Sequence, residues 1–111
     1  MVAQGDIIII DLNPTLGMEK GSKRPCLVLS HESFNQRTHF AWLLPITCRE
    51  EKYPTDVACH TQEDQVNGVI DCAQIRTVDL RERPFEIVDR LGKKSYQQVQ
   101  EILDHLLARQ V

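Results

Sequence analysis

Lys20, Lys23 and Arg24 put three positive charges within five residues, and Glu19 sets one carboxylate beside them. They belong to the stretch NPTLGMEKGSKRP, residues 13–25, where Gly17 and Gly21 allow backbone angles denied to other residues. A phosphate can approach the main-chain N–H groups of such a loop closely, and a guanidinium offers a planar fork for two of its oxygens. The formal net charge is -3, so any affinity for phosphate has to come from this local patch. Loops of this length are more often functional than idle. A solvated connection with a Glu19–Arg24 surface ion pair would nevertheless have the same composition.

Other chemistries find less support. Cys26, Cys48, Cys59 and Cys72 are scattered with no C-x-x-C pair, which argues against a zinc site and a redox dithiol. Reduced, partly buried thiols are expected, with no metal and no cofactor. Cys59 and His60 adjoin, but neither has a second ligand at a familiar spacing. Cys48 next to Thr47 suggests a thiol nucleophile, yet no histidine is paired with it by sequence. His31, His39 and His60 have no evident partner, although His39 or His60 could serve as an acid. Gln74 is a candidate for reading a base, because its amide both donates and accepts. Phe40 and Trp42 lie in a strand and suit core or interface better than stacking platforms.

The elements that must position these groups are short. GDIIIIDL, residues 5–12, is β-branched and apolar and reads as a central strand. RPCLVLS gives a second strand, with Pro25 at its start where a missing N–H is tolerated. HESFN is a turn or one helical coil, and HFAWLLPI is a third strand ended at Pro45–Ile46. TDVAC, NGVIDC and PFEIVDRL supply further strands, with Asn67-Gly68 as turn chemistry. Five or six short strands with Gly and Pro punctuation predict a small antiparallel β-barrel. In SYQQVQEILDHLLARQ, residues 95–110, Val99, Ile102, Leu103, Leu106 and Leu107 share one helical face. Ser95 and Gln98 predict a capping box at the start, and Arg109, with His105 when protonated, suits the end. The class is mainly β with a C-terminal amphipathic helix. With 41% hydrophobic and 26% charged residues, the 111-residue chain reads as one globular domain spanning 1–111. The run Ile7–Ile10 is too short for a membrane span and is closed by Asp6 and Asp11, so a cytoplasmic protein without membrane contact is expected.

The ordered motifs GDIIIIDLNPTLGMEKGSKRPCLVLS, then LPIT at 44–47, then AQIRTVD at 73–79, resemble the MazF, PemK and Kid toxin family over nearly the whole chain. In that family an N-terminal strand ending in Asp-x-x-Pro leads through a G-x-E-x-x-x-x-R-P loop to an apolar strand. A threonine ends a later strand, and Q-x-R-T-x-D follows. The resemblance implies a small SH3-like barrel with a helix, assembled as a homodimer. It also implies an endoribonuclease that cuts single-stranded RNA at short sequences and is silenced by a cognate antitoxin. By the same resemblance Arg24 and Thr47 are catalytic and Glu19 is an acidic loop residue implicated in some relatives; Lys20, Ser22 and Lys23 of the basic loop, with Gln74, are expected to contact RNA. Arg76 and Asp79 are expected to brace backbone and dimer contacts.

Those residue types suit the reaction. Attack by the neighbouring 2′-hydroxyl needs alignment, charge stabilisation and proton transfer from the protein. Glu19 is a more comfortable base than a guanidinium, which stays protonated. The chain also departs from some relatives, which carry histidine at Met18, arginine at Asp71 and aspartate at Ala73. One acid/base assignment rests on that trio, so here the Arg24 and Thr47 arrangement is expected to act in its place. Two rivals follow: a gyrase-binding toxin of the same fold, and a non-cleaving relative that binds RNA or antitoxin.

Overall fold

Four consecutive isoleucines have no polar face to offer solvent, and the fold buries both sides of their strand. In the computed structural model, which describes residues 1–110, they lie in β1 (Asp6–Asp11). β1 pairs antiparallel with β2 (Lys23–Val28) on one side and with β7 (Phe85–Arg90) on the other. Ile7 enters one apolar cluster with Leu27, Leu44, Ile46 and Val99. Ile8 and Ile10 enter a second with Cys26, Val28, Leu43 and Val78. Burial on both faces is why the run is continuous and does not alternate.

The remaining elements are α1 (Glu32–Thr38), β3 (Phe40–Thr47), β4 (Asp56–Ala58), β5 (Val69–Asp71), β6 (Arg76–Asp79) and α2 (Lys93–Leu106). The seven strands form one sheet in the order β4-β5-β3-β2-β1-β7, with β6 also paired to β3. The expected barrel is therefore not closed by a ladder. A single antiparallel bridge, Thr61 to Leu91, joins the segments beyond β4 and β7. Backbone bonds from Gly92 to His60 and from Gln62 to Arg90 tie the same gap. β4 has three residues and pairs with β5.

Four local expectations change. β6 was not expected as a strand, because RTVD is short and half polar; its pairing with β3 from Phe40 to Leu43 makes it one. β3 runs through Pro45 to Thr47. Its partner on one edge switches there, from β6 at Leu43 to β5 at Ile46, so no ladder bond needs the N–H that Pro45 lacks. HESFN opens a helix of seven residues, capped by the His31 ring accepting from the Ser33 N–H at 3.1 Å. Finally, α2 starts two residues before Ser95 and has Gly92 as its N-cap without a side-chain bond. Buried Ser95 instead accepts from the His60 N–H and donates to the Ala58 carbonyl, at 3.2 and 3.0 Å, pinning the helix across the strand gap. Along the helix, Val99 is fully buried, Ile102 and Leu103 are partly buried, and Leu106 and Leu107 are exposed.

Two buried aspartates tie loops to the sheet and make stability depend on acid. Asp56 receives two bonds from Arg49 and one each from the Lys52 and Tyr53 N–H groups. The Arg49 bonds hold it down at about 2 against the opposing effect of burial. Burial would raise Asp89, but the nearby Thr61 hydroxyl and the N–H groups of Gln65, Arg90 and Glu63 hold it at about 2 as well. Both folded values lie below the ordinary 3.8. Their contribution is thus complete above about pH 4 and is lost as pH falls toward about 2. Thermal melting between pH 6 and 2 should show Tm dropping mainly below pH 4, and Asp56→Asn with Asp89→Asn should flatten that drop.

Candidate active site

β1 and β2 are joined by an eleven-residue excursion from Leu12 to Ser22, and its geometry is held from both ends. The Leu12 N–H donates to the Ser22 carbonyl at 3.0 Å, and the Ser22 N–H donates to Asn13 Oδ1 at 3.1 Å. That second bond explains Gly21, where an added Cβ would stand 2.5 Å from the same Asn13 oxygen. Gly21 does not need an unusual φ; of the two loop glycines, Gly17 takes one, at 55°.

The middle of the loop is held by Gln74. Its Oε1 accepts from the Lys20 N–H at 2.8 Å, and its Nε2 donates to the Met18 carbonyl at 3.2 Å. One lone pair and one N–H of the amide expected to read a base are thus bonded to the loop, leaving one of each unused. Arg76 braces the loop's start by donating to the carbonyls of Leu12 and Pro14, matching its expected structural role. Asp79 pairs with Arg81 at 3.1 Å.

Between the loop and this second segment lies a cavity of about 500 Å³, lined by Leu12, Met18, Glu19 and Lys20, by Pro45 of β3, and by residues 73–76. Arg24 and Thr47 stand just outside that lining. The β2–β3 register pairs Cys26 with Pro45 and Leu27 with Leu44. Two residues beyond the Cys26–Pro45 pair stand Arg24 on β2 and Thr47 on β3, at the same end of the two strands, where Thr47 pairs with Val69 of β5. Side chains alternate along a strand, so Arg24 shares a face with Cys26 and Thr47 shares one with Pro45, beside the cavity. The Cys26 thiol reports that neighbourhood: burial pushes it up to about 12, against the pull of the Arg24 and Arg76 guanidinium groups.

The donors of Arg24 are only partly used. Its Nε donates to the Gly21 carbonyl at 2.7 Å and its Nη2 reaches Ser22 Oγ at 3.4 Å. Among the described residues it forms no ion pair with Glu19. Exposed Glu19 closes its own turn, its Oε1 accepting from the Leu16 N–H at 2.6 Å. Lys23 opens β2 and is exposed, whereas Lys20 is partly buried beside Gln74. The partly buried Thr47 hydroxyl has no bond to any described residue, while its carbonyl accepts from the Arg49 N–H at 3.1 Å.

Two positioning residues escaped the sequence reading. Arg49, two residues past Thr47, grips Asp56 at 2.6 and 3.0 Å and lies 3.9 Å from Asp71. Its only signal in sequence is a charge following a strand that ends in threonine. Gly68, read as turn chemistry, is set by close approach: at φ 119°, a Cβ there would lie 2.4 Å from the Thr47 carbonyl oxygen. All four cysteines are free, and only Cys48 is exposed. Burial lifts Cys59 to about 11 and Cys72 to about 12, which makes both poor nucleophiles and poor ligands. Among the described residues, no three His, Cys, Asp or Glu side chains gather as a metal set. No helix among them is long and apolar enough to cross a membrane.

Over residues 3–107 the chain matches the family model described as PemK-like, MazF-like toxin of type II toxin-antitoxin system. The endoribonuclease toxin MazF of Escherichia coli strain K12 is 34% identical over 79 residues, covering 71% of this chain and 69% of that protein. Endoribonuclease EndoA of Bacillus subtilis strain 168 is 31% identical, covering 97% and 96%. The crystal structure of MazF from Deinococcus radiodurans aligns with a TM-score of 0.89 at 29% identity over 97% of both chains. A MazE–MazF crystal structure from the same organism aligns at 0.81 and 26% identity, over 96% of this chain and 95% of that one.

Proposed function

Because the chain belongs to the PemK-like, MazF-like toxin family of type II toxin–antitoxin systems, we propose that it is an endoribonuclease cleaving single-stranded RNA, with Arg24 and Thr47 as its catalytic pair. The observation that supports the site is the β2–β3 pairing, whose last pair, Cys26 with the cavity-lining Pro45, lies two residues from Arg24 on one strand and two from Thr47 on the other. MazF and EndoA, its relatives, are named endoribonucleases.

The 2′-hydroxyl attacks the adjacent phosphorus, the bond to the 5′-oxygen breaks, and a 2′,3′-cyclic phosphate forms. Arg24 meets the developing charge with the donors that Gly21 and Ser22 leave unused. The Thr47 hydroxyl, unbonded in the protein, donates to a further phosphoryl oxygen. Glu19 lines the cavity with its Oε2 unbonded among the described residues; that oxygen takes the 2′-hydroxyl proton, and the departing 5′-oxygen takes a proton from solvent water to become the 5′-hydroxyl. Lys20, Ser22 and Lys23 hold the strand's phosphates, and Gln74, besides holding the loop, offers its remaining N–H and lone pair to a base.

The proposed unit is one domain spanning 1–111, working in the cytoplasm as a homodimer that covers apolar surface such as Leu106 and Leu107. A cognate antitoxin is its silencing partner, as the MazE–MazF relative suggests. This route requires no metal. A defined long RNA incubated with the protein in excess chelator should be cut at short recurring sequences, leaving cyclic phosphate and 5′-hydroxyl ends. Cleavage that depends on an added divalent ion, or that leaves 5′-phosphates, would reject the mechanism.

A further inference from the structure

Resting on the endoribonuclease reading, we propose that Tyr53 is a stacking platform for one base of the bound RNA, with Arg49 as the positioning residue beneath it. Tyr53 lies in the loop between β3 and β4 and is 61% exposed. The Arg49 guanidinium covers one face of the ring, 5.5 Å from its centre. With most of its surface exposed, the residue is reachable from solvent.

This aromatic is held in place before any ligand arrives. Arg49 donates through both terminal nitrogens to Asp56, at 2.6 and 3.0 Å, and also to the Glu50 carbonyl at 3.0 Å. The Asp56 side chain is fully buried, and that of Arg49 is 17% exposed. The same carboxylate accepts from the Tyr53 N–H at 3.0 Å, while the Asp56 N–H donates to the Tyr53 carbonyl at 3.0 Å. Ring and backbone are therefore fixed by one buried anion, so a base settling on the ring orders little that is not already ordered.

The residue beneath the platform is tied to the strand end that carries Thr47. The Arg49 N–H bonds the Thr47 carbonyl, and two residues of chain span at most about 7 Å. Asp71, 3.9 Å from Arg49, also accepts from the N–H of Ala73, which lines the cavity. Phosphate contacts at the loop and a base on Tyr53 would grip one strand on either side of the scissile bond. Stacking is tolerant of base identity, so Tyr53 contributes affinity without choosing the motif that is cut.

The test uses a single-stranded RNA oligonucleotide with 2′-O-methyl groups throughout, which blocks self-attack, and 2-aminopurine placed at successive positions. Wild-type protein should bind it and quench the fluorophore at one position most strongly. Tyr53→Leu should weaken binding by about 5- to 150-fold, the range for losing one base–aromatic stack, and abolish that quenching. Tyr53→Trp should keep both. With unmodified RNA, Tyr53→Leu should raise KM, leave kcat nearly unchanged and cut at the same sequence. A Tyr53→Leu protein that melts like wild type and binds and quenches equally well overturns the platform, while its cleavage activity leaves the nuclease reading standing. A wild-type protein that neither binds nor cleaves RNA overturns both.

Discussion

Replacing Arg24 with alanine should lower kcat for RNA cleavage by roughly 10²- to 10³-fold, the cost of losing one charge-stabilising group in a transition state. The protein should stay folded. Arg24 makes one close bond to the loop, from Nε to the Gly21 carbonyl, and a long one to Ser22. Removing contacts of this kind should cost no more than about 1 kcal/mol of stability. Arg24→Lys should recover little, because a single ammonium cannot span two phosphoryl oxygens as the planar fork does. Thr47→Ala should fall in the same direction and Thr47→Ser should largely restore activity, since only the hydroxyl is asked to act. Single-turnover cleavage of a defined RNA, with circular dichroism on the same samples, separates these effects. A folded Arg24→Ala protein that cuts at the wild-type rate would remove Arg24 from the mechanism.

Gly68→Ala should damage fold and catalysis together, although the residue touches no substrate. A methyl group there meets the Thr47 carbonyl oxygen at 2.4 Å and the Thr47 carbonyl carbon at 3.1 Å, and both are backbone atoms that no rotamer change can move aside. Its φ of 119° adds strain of about 1–2 kcal/mol for any residue with a Cβ. Overpacking adds about 1–3 kcal/mol, so a total loss of about 2–5 kcal/mol is expected by denaturant titration. Relief of the clash pushes on the end of β3, and kcat should fall even at temperatures where the variant remains folded. Gly17→Ala is the matched control. Gly17 also has a positive φ, 55°, but its added Cβ meets nothing within 4 Å, so it should lose about 1 kcal/mol and leave the Thr47 strand end unmoved. Equal losses in the two variants would show that backbone angle alone, and not the close approach to Thr47, sets the Gly68 requirement.

Most of the architecture is local information and was legible as such. The isoleucine run, the apolar strands after Arg24 and His39 and the stripe from Val99 to Leu103 each declare an element through their own periodicity. The family motifs declare the residues worth watching. The misreadings occurred where a neighbour distant in sequence decides the outcome. RTVD becomes β6 because β3 offers it an edge. Pro45 stays inside a strand because β3 changes partners there. Ser95 spans the gap between sheet ends and does not cap its helix. The site follows the same division. Sequence alone determined that a guanidinium, a hydroxyl and a basic glycine loop exist in this chain. Only the tertiary structure decided that β2 and β3 pair so that Arg24 and Thr47 lie at the same end of the two strands, that Gln74 bonds the loop, and that Glu19 turns to its own backbone. The physical reason is that side-chain type and spacing are written along the chain, whereas hydrogen-bond partners and strand register are set by contacts that form only when the sheet is assembled.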